Sequence, residues 1–243
     1  MRRLVIILFL VTIASLGVSS LQPKFTMFKR VNLVVYYADA RVRPGAVYKW
    51  TSGTPSILYS RNRGFIHSLL IHWSGFEGKV YFVDANEYPG RIYVAINASG
   101  RWHVEVVYEH DTYIRDIAWG PAPPNSTGPT LYFSEAFGAG KNGKIYRLVN
   151  NRAELYYEVR LEDVDGFWAG HFTFANDTLY LSSGNRVPAS IYRVVNGTVE
   201  KVFTEMQGAI CGIHYVQGHV EGESNHPGFI YYADFRQGVH VLD

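Results

Sequence analysis

Cysteine is nearly missing: the 243-residue chain has one, Cys211. A single thiol excludes an intrachain disulfide framework and any zinc site built from several cysteines. Its surroundings, Ala209-Ile210-Cys211-Gly212-Ile213, are apolar and read as those of a buried, inert thiol. An excess of one charge is missing too. With 23 Lys+Arg against 21 Asp+Glu the formal net charge is +2, which gives no basis for nucleic acid or an anionic membrane as the main partner. There is no serine elbow, no zinc-protease motif and no Gly-rich phosphate loop opening a helix. The glycine-rich stretch 138–143 joins two extended segments instead. No 3.6-residue hydrophobic periodicity is found after the first twenty residues, so helices are not expected.

The chain's only long apolar run is at its start. Arg2 and Arg3 precede an apolar stretch over residues 4–16, and Val18 and Ser20 stand at the −3 and −1 positions of a small-residue cleavage site. The run falls short of the ~20 residues of a spanning helix. Residues 1–20 therefore read as an export signal, with a retained anchor as the alternative, and residues 21–243 as one mature domain outside the cytoplasm. An exported chain with one cysteine points to a prokaryotic cell surface rather than a disulfide-stapled ectodomain. Four Asn-x-Ser/Thr sequons, at Asn97, Asn125, Asn176 and Asn196, mark candidate glycosylation sites. Three of the four also fall where a hairpin turn calls for asparagine.

Aromatics are plentiful, with 18 Tyr, 14 Phe and 5 Trp, and favour strands. They recur in a pattern. Val35-Tyr36-Tyr37-Ala38-Asp39, Val80-Tyr81-Phe82-Val83-Asp84, Leu131-Tyr132-Phe133-Ser134-Glu135, Leu179-Tyr180-Leu181-Ser182-Ser183 and Ile230-Tyr231-Tyr232-Ala233-Asp234 share one design. Each is followed across a Gly/Pro loop by a second strand: Val47-Tyr48-Lys49, Ile92-Tyr93-Val94, Ile145-Tyr146-Arg147, Ile191-Tyr192-Arg193 and Val239-His240-Val241. Successive first tyrosines lie 45, 51, 48 and 51 residues apart, a period that suits a four-stranded propeller blade. Inner strands are expected at 67–73, 114–119, 168–174 and 210–215, and outer strands at 56–60, 103–108, 154–159 and 199–204. The fold class is all-β, a propeller of five four-stranded blades, with six blades as the alternative. The first unit lacks an inner strand and the last an outer one; residues 25–30 could fill one of the two gaps.

The segments 80–94 and 230–241 resemble blades of the YWTD, NHL and gluconolactonase-like propellers. Ile114-Arg115-Asp116-Ile117-Ala118-Trp119-Gly120-Pro121 with 131–135 is similar to blades of soluble quinone-dependent sugar dehydrogenases. The resemblance spans nearly the whole mature chain and implies the fold. The lactonase-like relatives hold a divalent ion with a first-blade Glu and Asn/Asp at inner-strand starts, positions this chain does not match. The quinone enzymes need several gripping Lys and Arg on long loops, and this chain has seven Lys in all.

Inner-strand starts and the loops between second and third strands converge on one channel mouth. There His67, Arg115, Asp116, Trp168 and His171 stand on inner strands, and Asp39, Asp84, Asn86, Glu87, Glu135, Asn185, Asp234 and Arg236 on loops. The acids at one repeat position, Asp39, Asp84, Glu135 and Asp234, are expected to serve the blades. Arg115, Asp116, Trp168 and His171 break the repeat and are the candidate ligand-binding residues, with Trp168 as an apolar platform. Strict alternation would put adjacent Arg115 and Asp116 on opposite faces. His214, His219, Glu221, Glu223 and His226 flank one loop and could offer metal ligands. The expected function is an exported, monomeric binding or scaffold module that recognises a carbohydrate or peptide at one mouth. The alternative is a metal-dependent lactonase-like hydrolase, whose cofactor would be a divalent cation such as calcium.

Overall fold

A computed structural model describes residues 35–39, 45–51, 53–74, 77–98, 100–124, 126, 128–135, 141–184, 186–216, 228–234 and 238–242. The expected export signal, residues 25–30, Asn125, Asn185, Arg236 and the 217–227 loop lie outside them. The described strands are β1 (Val35–Asp39), β2 (Gly45–Trp50), β3 (Ser56–Arg61), β4 (Ile66–Ser74), β5 (Glu77–Asp84) and β6 (Gly90–Ala98). They continue with β7 (Arg101–His110), β8 (Ile114–Gly120), β9 (Thr130–Glu135), β10 (Gly143–Val149), β11 (Arg152–Val159) and β12 (His171–Ala175). β13 (Thr178–Ser182), β14 (Ala189–Val195), β15 (Thr198–Glu205), β16 (Ile210–Val216), β17 (Phe229–Asp234) and β18 (Gly238–Leu242) complete them. A single 3-10 turn at Leu161–Val164 is the only helical element among the described residues.

The strands form five antiparallel sheets in chain order: β1–β3, β4–β7, β8–β11, β12–β15 and β16–β18. These are the five blades of a β-propeller. Tight turns fix the hairpins, and the residues that must take positive φ are those the sequence supplies: Asn150 and Asn151 (48° and 62°), Asn176 and Asp177 (46° and 66°), Asn196 and Gly197 (51° and 78°). Turn geometry thus accounts for the asparagines of two sequons. The fourth inner strand starts at His171 rather than at 168. Asp165, Gly166 and Gly170 all hold positive φ (56°, 74° and 90°), so the chain before it cannot run extended.

Successive blades face one another across apolar layers, so the second, third and fourth blades are covered on both faces. Tyr36 and Val47 meet Ile66, Val80 and Phe82; Leu70, Val83 and Ile92 meet Ile117 and Phe133. Ala118, Tyr132 and Ile145 meet Trp168, Phe172 and Leu181, and Ile191 meets Ile210, Ile213 and Tyr232. The repeated tyrosines divide this work. Tyr36, Tyr81, Tyr132 and Tyr180, on second strands, pack forward onto the next blade. Tyr93, Tyr146 and Tyr192, on third strands, pack back onto the previous one. Their hydroxyls donate to Glu87 (2.7 Å), Glu135 (2.9 Å) and Asp165 (2.7 Å).

Near the axis the blades are also stitched by hydroxyls. Ser68 Oγ accepts from Ile117 N (3.2 Å), Ser134 Oγ donates to Gly170 O (2.6 Å) and accepts from Asp116 N (3.1 Å), and Thr173 Oγ1 accepts from Tyr215 N (3.1 Å). Ser134→Ala would strand two buried backbone groups at the seam of blades three and four. It is expected to cost about 1–3 kcal/mol, read as a lower urea midpoint with unchanged slope; an unmoved midpoint would show that this seam does not hold the blades together.

Candidate functional site

The inner strands β4, β8, β12 and β16 lie side by side around the axis. Three of them carry the same irregularity near their first residue. Register jumps from Ile66↔Asp84 to Ser68↔Val83, from Ile114↔Glu135 to Asp116↔Ser134, and from Ile210↔Asp234 to Gly212↔Ala233. The extra residues are His67, Arg115 and Cys211, each at a β-bulge, and a bulge re-aims side chains that alternation would separate. Strict alternation is therefore broken at Arg115 and Asp116, although only one of the two enters the lining of the channel. Asp116 lines the central cavity. Arg115 lays its guanidinium 5.5 Å above the Phe65 ring of blade two, and its charge acts on His67 of blade two and His171 of blade four. Gly170 makes room for it: a Cβ there would meet Arg115 Cγ at 2.7 Å.

Beneath lies a cavity of about 270 Å³, walled by Leu69, Ile117, Ile213 and Val239 among others, with His67, Asp116, His171 and His214 as its main polar groups. His67 and His171 stack with ring centres 4.8 Å apart. His171 is 0% exposed, and Asp116 Oδ2 lies 3.5 Å from its Nδ1, at the limit of hydrogen bonding. Neither nitrogen of His171 nor Nδ1 of His67 has a hydrogen-bond partner of good geometry among the described residues. The same holds for Arg115 Nε. Burial pushes all three cavity imidazoles down: His67 well below 6.5 with help from His171 and Arg115, His171 below 6.5 against the opposing pull of Asp116, and His214 to about 4. At neutral pH these rings are uncharged donors and acceptors.

Trp168 lies elsewhere. It is 3% exposed, packed between blades three and four, and its Nε1 donates to His171 O at 3.3 Å. A ring held this way has no face to offer a ligand, because closing the seam between two sheets requires the volume. The loop acids Asp84, Glu87, Glu135 and Asp234 serve the blades, while the side chain of Asp39 lies outside those described. Asp84 accepts from Phe65 N (2.8 Å) and Asn86 N (3.0 Å), Glu135 from Tyr146 and Thr112 (3.2 Å), and Asp234 pairs with His240 Nε2 (2.9 Å). Glu87 binds Arg61, Arg91 and Tyr93. Both backbone partners of Asp84 belong to its own blade. Among the described residues no three of His, Cys, Asp and Glu form a group able to hold a metal ion.

Cys211 also lines the cavity, and its Sγ donates to Ala233 O at 3.2 Å. Two residues were not legible as site residues. Tyr88, in the β5–β6 loop, and Tyr113, just before β8, are 65% and 43% exposed with rings 5.5 Å apart. Both stand at the end of the propeller where inner strands begin. Their aromatic type at loop positions outside the repeat was the one available signal.

No protein-family model and no curated protein matches the sequence. Among solved structures, a chain from a crystal structure of a nidogen/laminin complex superposes with a TM-score of 0.53 at 12% identity, covering 83% of this chain and 70% of that one. An α-L-arabinofuranosidase from Fusarium graminearum gives 0.44 at 13% identity over 82% of this chain and 66% of its own. A β-xylosidase gives 0.42 at 14% identity over 83% and 81%. The likeness to the first is one of fold, the propeller architecture expected from the blade repeat.

Proposed function

We propose that this chain is an exported, monomeric propeller that binds a ligand at the mouth where its inner strands begin, as a recognition or scaffold module of a cell surface. The observation that carries this reading is the central cavity. Four blades contribute to it, its walls are mostly apolar, and neutral imidazoles and one carboxylate supply a few directed polar groups, the usual make-up of a small-molecule site. Of the two ligand classes, carbohydrate is favoured over peptide by the exposed Tyr88–Tyr113 pair on the same face, since aromatic faces suit the C–H faces of sugar rings.

Gly212 provides the test. It lines the cavity, and a Cβ added to it would meet nothing within 4 Å. Gly212→Leu therefore fills the cavity without forcing the backbone. Screened against a panel of oligosaccharides and short peptides, the wild-type chain is expected to bind at least one, and Gly212→Leu to lose that binding with its melting temperature nearly kept. A ligand that binds both chains equally would place recognition away from the channel. Export is tested by N-terminal sequencing of protein from the native host, with Leu21 at or near the new terminus; intact Met1 on membranes would support the anchor instead.

A further inference from the structure

A buried polar group without a partner is costly, and this mouth gathers several. Arg115 is the most telling. Its guanidinium rests on an aromatic face, its Nε has no acceptor, and it forms no ion pair within 4 Å among the described residues. Three other partly buried arginines have carboxylates, Arg91 with Glu87 and Glu109, Arg147 with Glu154 and Arg193 with Glu200, whereas Arg63, Arg101 and Arg152, which have none, are exposed. Asp116, its neighbour in the chain, acts on it through space without pairing with it, and a cation so placed, with a planar fork of donors, matches a carboxylate.

The imidazole beside it asks for something different. Asp116 stands on the Nδ1 side of His171, at 3.5 Å. As the nearest acceptor, Asp116 favours the tautomer with the ring proton on Nδ1, which makes Nε2 an acceptor. That atom is buried without a partner, so it calls for a donor such as a hydroxyl. Asp116 also repels a second anion, so a ligand carboxylate is directed to Arg115 and its hydroxyls to His171. His67, stacked on His171, adds another unpartnered nitrogen at Nδ1.

We propose that the ligand of this mouth is an acidic sugar, a hexuronate whose carboxylate is bound by Arg115 and whose hydroxyl groups are read by His171 and His67. The inference rests on the binding reading above and narrows it to one chemistry. The cavity of about 270 Å³ is of the size that takes one sugar ring with part of it open to solvent.

The experiment is calorimetric titration of the full chain at neutral pH with glucuronate, glucose and acetyl-dialanine, the last carrying a carboxylate without hydroxyls. Glucuronate is expected to bind at least about tenfold tighter than glucose, and Arg115→Gln to remove that preference while leaving the weak glucose affinity within about twofold. Should Arg115→Gln fail to fold, excess acetate on the wild-type chain decides, because it should displace glucuronate by taking the Arg115 seat. Equal affinity for glucuronate and glucose, or glucuronate binding indifferent to both Arg115→Gln and acetate, would overturn the carboxylate seat and leave the binding mouth standing. Tighter binding of acetyl-dialanine than of glucuronate would overturn the sugar in favour of a peptide terminus. No binding of any of the three, nor of the wider panel, would bring down the binding reading itself.

Discussion

Trp168→Ala is expected to destabilise the propeller by about 3–5 kcal/mol, the range for deleting a large buried aromatic. In a domain of this size that is a fall in Tm on the order of 10 °C. The indole fills the seam between blades three and four with Ile145, Phe172 and Leu181. Gly143 on β10 is glycine because a Cβ there would run into the indole ring. Gly143→Ala alone should therefore also destabilise, and the double variant should be less damaged than the two single losses combined, since the alanine then enters the space the indole vacated. Thermal melts of the three variants check this. A Trp168→Ala protein with wild-type stability would return the residue to the mouth, as the sequence alone suggests.

Acid is expected to weaken the fold well above the range where ordinary carboxylates titrate. His67, His171 and His214 have folded pKa values below the 6.5 of the free ring, chiefly through burial. A base whose pKa is depressed by folding binds its proton more readily when unfolded. Stability is therefore full above about pH 6.5 and lost progressively as pH falls towards the folded values. For His214, lowered from 6.5 to about 4, the loss approaches about 3 kcal/mol by pH 4. His67 faces His171 and Arg115, both of which oppose its protonation, while Asp116 partly favours it on His171 and His214. Urea midpoints are expected to be flat from pH 8 to 6.5 and to fall from there to pH 4, with a shallower fall in His214→Asn. A midpoint constant down to pH 4.5 would contradict the burial of these rings. The depressed carboxylate of Asp165 acts in a separate, lower window, below 3.8.

Blade number, strand order and turn positions were legible because they are local. Tyrosines at a fixed period, alternation within each strand and Asn or Gly where φ must be positive act over a few residues, and each repeat states them again. The tyrosines could be seen to recur but not to divide into forward-packing and backward-packing sets, since that depends on which sheet each face meets. The site was half legible. Arg115, Asp116 and His171 stood out by breaking the repeat. Their grouping with His67, Cys211 and His214 needed inner strands from four blades to meet at one axis.

What the sequence by itself determined is therefore the propeller: periodicity fixes the unit, and the unit repeated five times fixes the architecture. Tertiary structure alone decided which repeat-breaking residue does what. Trp168 and His171 are three apart in sequence, yet one closes a seam between sheets and the other stands in the cavity, because positive φ at Gly170, between them, turns the chain from one environment to the other. Asp116 lines the cavity while Arg115 rests on Phe65, and the bulge that inserts one residue into β8 breaks the alternation that a strand otherwise imposes. A bulge of this kind arises from pairing with another strand, so no pattern within the strand itself announces it.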